Sequence, residues 1–416
     1  MSNFLIIKLT KFLKLSLYRL FALSIASLSI GILSSTSLCN VSFAQTSDQL
    51  NINLPAGFEI SIFAKNLRFP RMMAFDKNGD LFVSSNDTNQ VLMLQDANKD
   101  GVSEAPILIS DQLNAPNGLV FLDEDLLVAN QNGVVKLTKS KGKWSAPKAF
   151  ISDLPAGHHS VKTIKIGPDQ HLYINVGSSC NVCVEDDPLR ATILRYTLEG
   201  KPAGSTYNAT KNAEKPIWAK GLRNSQGFSW HPKTNAMYAT NNGSDMRSMT
   251  NNGKVNDEIP PEHINEIMAD KHYGWPYCWA DIKIPATLTQ DPNFIAKNNM
   301  GGVNFCKTAT PPAITVISHS TPIGITFLDK TNWPTEFKTD AIVALHGSWN
   351  RQQLSGYKLV RIKFKDNKPV EVVDFATGWL NNNQAWGRPV DAITGPDGAL
   401  YVSDDRAGYI YKITHH

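Results

Sequence analysis

One unit recurs along the chain and narrows the fold more than any other feature. It is a turn with Asp or Asn and Gly, then a short strand-like run, then polar residues. It reads Phe75-Asp76-Lys77-Asn78-Gly79-Asp80-Leu81-Phe82-Val83-Ser84, and Gly395-Pro396-Asp397-Gly398-Ala399-Leu400-Tyr401-Val402 near the end. Looser copies begin at Phe121, Ile166, Trp230 and Phe327. Asn-Gly and Asp-Gly tolerate positive φ, so each unit has the turn chemistry of a hairpin. The run after it alternates or is wholly apolar, as a strand buried between sheets must be. Six such units in residues 45–416 predict an all-β, six-bladed β-propeller rather than a pair of β-sandwiches. The least regular stretch lies between the fourth and fifth units, and no amphipathic helix of note appears.

The chain is 42% hydrophobic and 19% charged, with 27 Gly and 23 Pro, which excludes a disordered, collagen-like or coiled-coil protein. Residues 1–44 carry Lys8, Lys11, Lys14 and Arg19 and no acid. An apolar run from Leu20 to Leu38 follows, and Ser42-Phe43-Ala44 closes the segment. That is the pattern of a cleaved secretory signal, with a single transmembrane anchor as the competing reading. Removing these four cations from 41 leaves 37 basic against 37 acidic residues, so nothing points to nucleic acid or anionic lipid as a partner. The expected mature chain, 45–416, has no membrane span and is periplasmic or secreted.

Of five cysteines, Cys39 falls in the leader. Cys180, Cys183, Cys278 and Cys306 remain, an even count that suggests disulfides in an exported chain. Three connectivities exist, and the local pairs Cys180–Cys183 and Cys278–Cys306 are the expected ones. A metal site is the competing reading, though a lone CxxC is a weak sign of one.

Propellers bind ligands at one mouth of the central channel, so polar clusters just outside strands are the candidates. His158 and His159 precede the third unit, where an imidazole can accept a proton near neutral pH. Gly221-Leu222-Arg223-Asn224 offers a planar cation and an amide on a glycine-flanked loop. Asn241-Asn242-Gly243-Ser244-Asp245, with Asp257, Glu258 and Glu262, has the oxygen-rich composition that suits Ca²⁺, without the spacing of an EF-hand loop. His346-Gly347-Ser348-Trp349-Asn350-Arg351 and Gly387-Arg388-Pro389-Val390-Asp391 add arginines and amides beside strand units. Trp349 could stack on a flat ring or be structural. No GxSxG elbow, P-loop or GxGxxG is present. Arginines with asparagines and a histidine pair point to a planar, polyanionic cofactor.

From about Leu54 to Thr414 the chain resembles the soluble pyrroloquinoline quinone (PQQ)-dependent glucose/sorbosone dehydrogenase family. The resemblance rests on Gly-Leu-Arg-Asn-Ser-Gln-Gly at 221–227 and Tyr-Gly-Trp-Pro at 273–276. Gly-Ser-Ser-Cys-Asn-Val-Cys at 177–183 and His-Gly-Ser-Trp-Asn-Arg at 346–351 favour its sorbosone dehydrogenase-like branch. The resemblance implies a six-bladed propeller holding PQQ and Ca²⁺. It implies His159 as general base, with His158 as fallback, Arg223 and Asn224 on the quinone, and the carbonyls of Gly243 and Ser244 on the calcium. Arg388 and Asp391 match a family Arg-x-Arg-Asp motif whose second arginine is Val390 here, so Arg351, beside Asn350, is expected to supply that charge. Pro116 stands where glucose dehydrogenases carry a glutamine, leaving Asn117 as the candidate. His263 replaces a glutamate that ligates a secondary calcium in relatives.

The implied reaction is oxidation of an aldose or a sorbosone-like aldehyde by hydride transfer to the quinone, with Ca²⁺ as Lewis acid and electrons passed to an exported acceptor such as a cytochrome c. Two other classes compete: a lactonase-type propeller hydrolase, against which the carbonyl-and-amide donor set argues, and a non-catalytic binding propeller.

Overall fold

The computed structural model describes residues 50–205, 215–284, 286–294 and 303–416. The expected leader, residues 1–44, lies outside them.

Six four-stranded antiparallel sheets form, each with its first strand innermost. The first blade is Pro70–Phe75, Leu81–Ser85, Gln90–Leu94 and Ile107–Ser110. The second is Leu119–Leu122, Asp125–Asn130, Gly133–Leu137 and Lys148–Ile151, and the third Ile164–Ile166, His171–Val176, Thr192–Thr197 and Ile217–Lys220. Phe228–Trp230, Met237–Asn241, Glu262–Ile267 and Ile314–Val316 make the fourth, and Pro322–Phe327, Ala341–Leu345, Lys358–Lys365 and Lys368–Ala376 the fifth. The sixth is composite. Pro389–Thr394, Leu400–Asp404 and Tyr409–His415 are completed by Phe58–Ala64, pairing Phe58 with His415 and Ile62 with Tyr411. The two ends of the described chain thus share one sheet and close the ring.

All six repeat units fall on the connection between an inner strand and its neighbour, which is why the repeat counts blades. The second strands are buried throughout, because each has a neighbouring blade on both faces. In the third blade Leu172, Ile174 and Val176 pack against the second blade, while Tyr173 packs against the fourth. Six apolar clusters therefore fill the six gaps between blades in place of a single core. The inner strands approach closely: a Cβ on Gly227 would lie 1.9 Å from the Ile323 carbonyl oxygen, so only glycine fits.

This topology sets one end of the ring apart. Each inner strand starts, and each second strand finishes, at the same end, opposite the repeat turns. The irregular stretch after the fourth blade's second strand also emerges there. Between that blade's third and fourth strands lie a hairpin (Cys278–Ala280 with Leu288–Gln290) and the one α-helix among the described residues, Val303–Thr308. Both expected disulfides form, Cys180–Cys183 and Cys278–Cys306. No helix among the described residues is long and apolar enough to cross a membrane.

Candidate active site

His159 sits in the loop entering the third blade, with φ +46°, a left-handed conformation that a non-glycine residue adopts only under constraint. Cations supply that constraint. Lys162, fully buried, donates from Nζ to the carbonyls of Gln131 (2.6 Å), Pro155 (2.7 Å) and Ser160 (3.2 Å). Arg190 donates to the carbonyls of Ala156 and His158. Burial pushes the Lys162 ammonium down to about 7, with Arg190 adding to the shift.

The imidazole Nδ1 lies 2.8 Å from Ser178 Oγ and 3.2 Å from the Ser178 carbonyl oxygen. The hydroxyl proton of Ser178 goes to the Cys180 carbonyl at 2.7 Å. Nδ1 therefore faces only lone pairs and carries the ring proton, which leaves Nε2 as a free base. Burial, then Arg223 and His158, push the ring down to about 3, so it is neutral at physiological pH. His158 is exposed, its ring 4.1 Å from that of His159.

Arg223 and Asn224 enter the fourth blade at the same end. A Cβ on Gly177 would come within 2.5 Å of His159 Cβ and 3.2 Å of Asn224 Oδ1, so the histidine and the amide flank one point. Asn224 Oδ1 is buried without a hydrogen-bond partner. The Arg223 guanidinium pairs with Asp245 Oδ2 at 2.8 Å and donates to Asn181 Oδ1 (3.0 Å) and the Asn181 carbonyl (3.1 Å). Burial alone would raise the Asp245 carboxyl, but His319, Arg223 and Asn350 hold it below its ordinary value. Asn350 Nδ2 reaches Asp245 Oδ1 at 2.8 Å, and Asn350 Oδ1 is another buried, unpartnered oxygen.

Gly243 and Ser244 lie in the loop just after the fourth blade's second strand, Met237–Asn241. The Gly243 N–H donates to the buried Glu262 carboxyl, which burial pushes up to about 7. Outside the strands, no backbone N–H among the described residues donates to the carbonyl of either residue. Both oxygens can thus serve a cation.

Beneath the mouth the six blades each contribute one member of a buried polar ring. Arg71 pairs with Asp405 at 2.8 Å and donates to Asn117 Oδ1 (3.3 Å) and Gln226 Oε1 (3.4 Å). Thr163 binds the Gln226 carbonyl at 2.5 Å, and Asp405 meets His346 Nε2 at 2.9 Å. Arg388 lies above this ring, on the carbonyls of His346 and Gly347.

Of the residues expected from the sequence, His159, Arg223, Asn224, Gly243, Ser244 and Asn350 meet at one end, with Asn117 and Arg388 bordering them. Two others point elsewhere. Asp391 accepts from the backbone N–H groups of Met73 (3.0 Å) and Ala392 (3.0 Å), stitching the sixth blade to the first. Arg351 is turned to Glu258 and to the carbonyls of Ser318 and Gln353. The second guanidinium at the ring is Arg71, from the first blade. It escapes a sequence reading because only ring closure sets it beside Asp405, although both residues flank strand units. Asp245, Glu262, His319 and Asn181 join the site through contacts between blades.

Three cations (Arg71, Arg223, Arg388) suit a flat polyanion whose oxygens accept hydrogen bonds, while the unpartnered amide oxygens of Asn224 and Asn350 call for a donor or a cation. A PQQ-dependent pyranose dehydrogenase of Coprinopsis cinerea is 24% identical over 412 residues, covering 87% of this chain and 54% of its own length. This chain thus spans about half of that relative. The PQQ domain of the C. cinerea pyranose dehydrogenase, solved in its holo form, has TM-score 0.72 at 20% identity, covering 88% of this chain and 98% of that one. A calcium structure of a Trichoderma reesei enzyme of family AA12 has TM-score 0.74 at 18% identity, covering 89% and 100%. These two solved structures share the propeller fold. The model of the TrAA12-like family matches residues 52–416, and the chain belongs to that family, among whose relatives are PQQ-dependent sugar dehydrogenases.

Proposed function

We propose that this protein is an exported quinoprotein that oxidises an aldose or a sugar-derived aldehyde of the sorbosone type. The observation that carries the reading is the setting of His159 Nδ1 against the Ser178 hydroxyl and carbonyl oxygens, which assigns the ring proton to Nδ1 and leaves Nε2 as the free base, with Asn224 across Gly177 from the histidine. His159 Nε2 takes the hydroxyl proton of the sugar, a role that needs a base unprotonated at working pH. Arg223 and Asn224 hold the oxygen on which charge develops, and Arg388 and Arg71 balance carboxylates. The Gly243 and Ser244 carbonyls are the donors for a Ca²⁺. When bound, PQQ supplies the electrophilic ortho-quinone that accepts the hydride.

In the same reading residues 1–44 are removed on export, 45–416 form the mature propeller in the periplasm or outside the cell, and a cytochrome c is a suitable electron acceptor. The test is reconstitution of the purified chain with PQQ and Ca²⁺, followed by dye-linked oxidation of a panel of aldoses and aldehydes. Oxidation that needs both additions supports the reading, and none across the panel rejects it.

A further inference from the structure

Segments noted separately in the sequence converge on a single residue that none of the expected roles includes. Asn181 lies between the two cysteines of the Cys180–Cys183 disulfide, in a loop closed over a separation of three residues. Its Oδ1 accepts from Arg223 Nη2 at 3.0 Å and from the Asp245 backbone N–H at 2.8 Å. Its Nδ2 donates to the Asp245 carbonyl at 2.9 Å. Its own carbonyl accepts from Arg223 Nε and from Trp275 Nε1, each at 3.1 Å. The Gly-Leu-Arg-Asn and Tyr-Gly-Trp-Pro segments, some fifty residues apart, therefore meet on the disulfide loop. Asn350, of His-Gly-Ser-Trp-Asn-Arg, joins them through Asp245. The same loop touches the base, because the Cys180 carbonyl takes the Ser178 proton that fixes His159.

We infer that Asn181, framed by the Cys180–Cys183 disulfide, is the positioning residue that aims the Arg223 guanidinium at the cofactor. Two of the guanidinium's hydrogen bonds end on Asn181 and one on Asp245, so its plane is set by a residue whose own backbone is clamped by the disulfide. Without the Asn181 side chain, Nε keeps the carbonyl of residue 181, but Nη2 is left with Asp245 alone, so that end of the guanidinium is held by one contact instead of two. The inference rests on the cofactor reading for the words "at the cofactor", but the orientation of Arg223 can be read without PQQ.

The test compares full-length wild type with Asn181→Ala, Asn181→Asp and the double variant Cys180→Ser/Cys183→Ser. Nitrogen-15 NMR of the apoprotein measures solvent exchange of the Arg223 Nη2 protons, and titration with PQQ and Ca²⁺, followed by quinone absorbance, measures binding. In Asn181→Ala the Arg223 Nη2 protons are expected to exchange at least about tenfold faster, and PQQ affinity to fall about 10- to 100-fold, the scale of one lost charge-assisted bond. Asn181→Asp keeps the acceptor oxygen and restores slow exchange, which a general loss of stability would not do. The cysteine double variant falls between. Unchanged Arg223 exchange in Asn181→Ala, or in the double variant should the alanine variant not fold, overturns the proposal. If Arg223 responds while wild type takes up no PQQ, the positioning role stands and the cofactor reading falls.

Discussion

His159 Nδ1 is 2.8 Å from Ser178 Oγ, and that hydroxyl is committed as a donor to the Cys180 carbonyl. The serine dictates which ring nitrogen is free. His159→Ala is expected to lower turnover by about 10²- to 10⁴-fold, the range of general-base catalysis, while PQQ absorbance persists. Ser178→Ala leaves the ring and the Ser178 carbonyl contact at 3.2 Å but removes the hydroxyl acceptor, so the tautomer is held less firmly and kcat falls with KM nearly unchanged. Steady-state kinetics on the reconstituted protein check both.

Acid weakens the fold through two histidines in the fourth blade and its insertion. His263 accepts the Ala280 N–H at 3.2 Å and His272 the Gly274 N–H at 3.1 Å, and burial pushes each down to about 4. Their folded pKa values lie below the unfolded 6.5, so their stabilisation is complete above pH 6.5 and is lost as pH falls towards 4. Thermal unfolding followed from pH 7 to 4 should show this decline. His272→Gln, which keeps an acceptor and gains no proton, should make it shallower.

The Arg71–Asp405 pair is buried on both sides and shared with His346, Asn117 and Gln226. Removing one partner strands the other, so Arg71→Met and Asp405→Asn are each expected to cost about 3–5 kcal/mol. Because the two losses concern one contact, the double variant should cost less than their sum. Denaturant unfolding of the four proteins measures the coupling.

Cys278–Cys306 ties the hairpin of the insertion to its helix across 28 residues. By loop entropy, Cys278→Ser/Cys306→Ser should lose about 3–4 kcal/mol, read by the same unfolding experiment.

The architecture was legible because its punctuation is local. Each Asp- or Asn-bearing turn joins an inner strand to its neighbour within one blade, so a scan along the chain meets it six times. Cys180 and Cys183 paired as expected for the same reason. His159, Arg223 and Asn224 were also within reach, since each stands directly before an inner strand. Arg71 was not. Nothing near Pro70-Arg71 indicates a partner at Asp405, more than three hundred residues away, until the ring is closed. Arg351 shows the converse: a neighbour in sequence of Asn350, it is drawn off by Glu258.

The strand Phe58–Ala64 fills the outer edge of the last blade, and Phe58 sits edge-on against Trp333, Phe337 and Phe375, at 4.7 to 5.2 Å. A ribosome makes that segment more than three hundred residues before its hydrogen-bonding partner, Tyr409–His415. Until that partner is made, the earlier blades stack with nothing to clasp them, and Phe58–Ala64 keeps an unpaired edge open to other chains. Loss of Tyr409–His415 alone would leave the circle unlatched, however sound the remaining sheets.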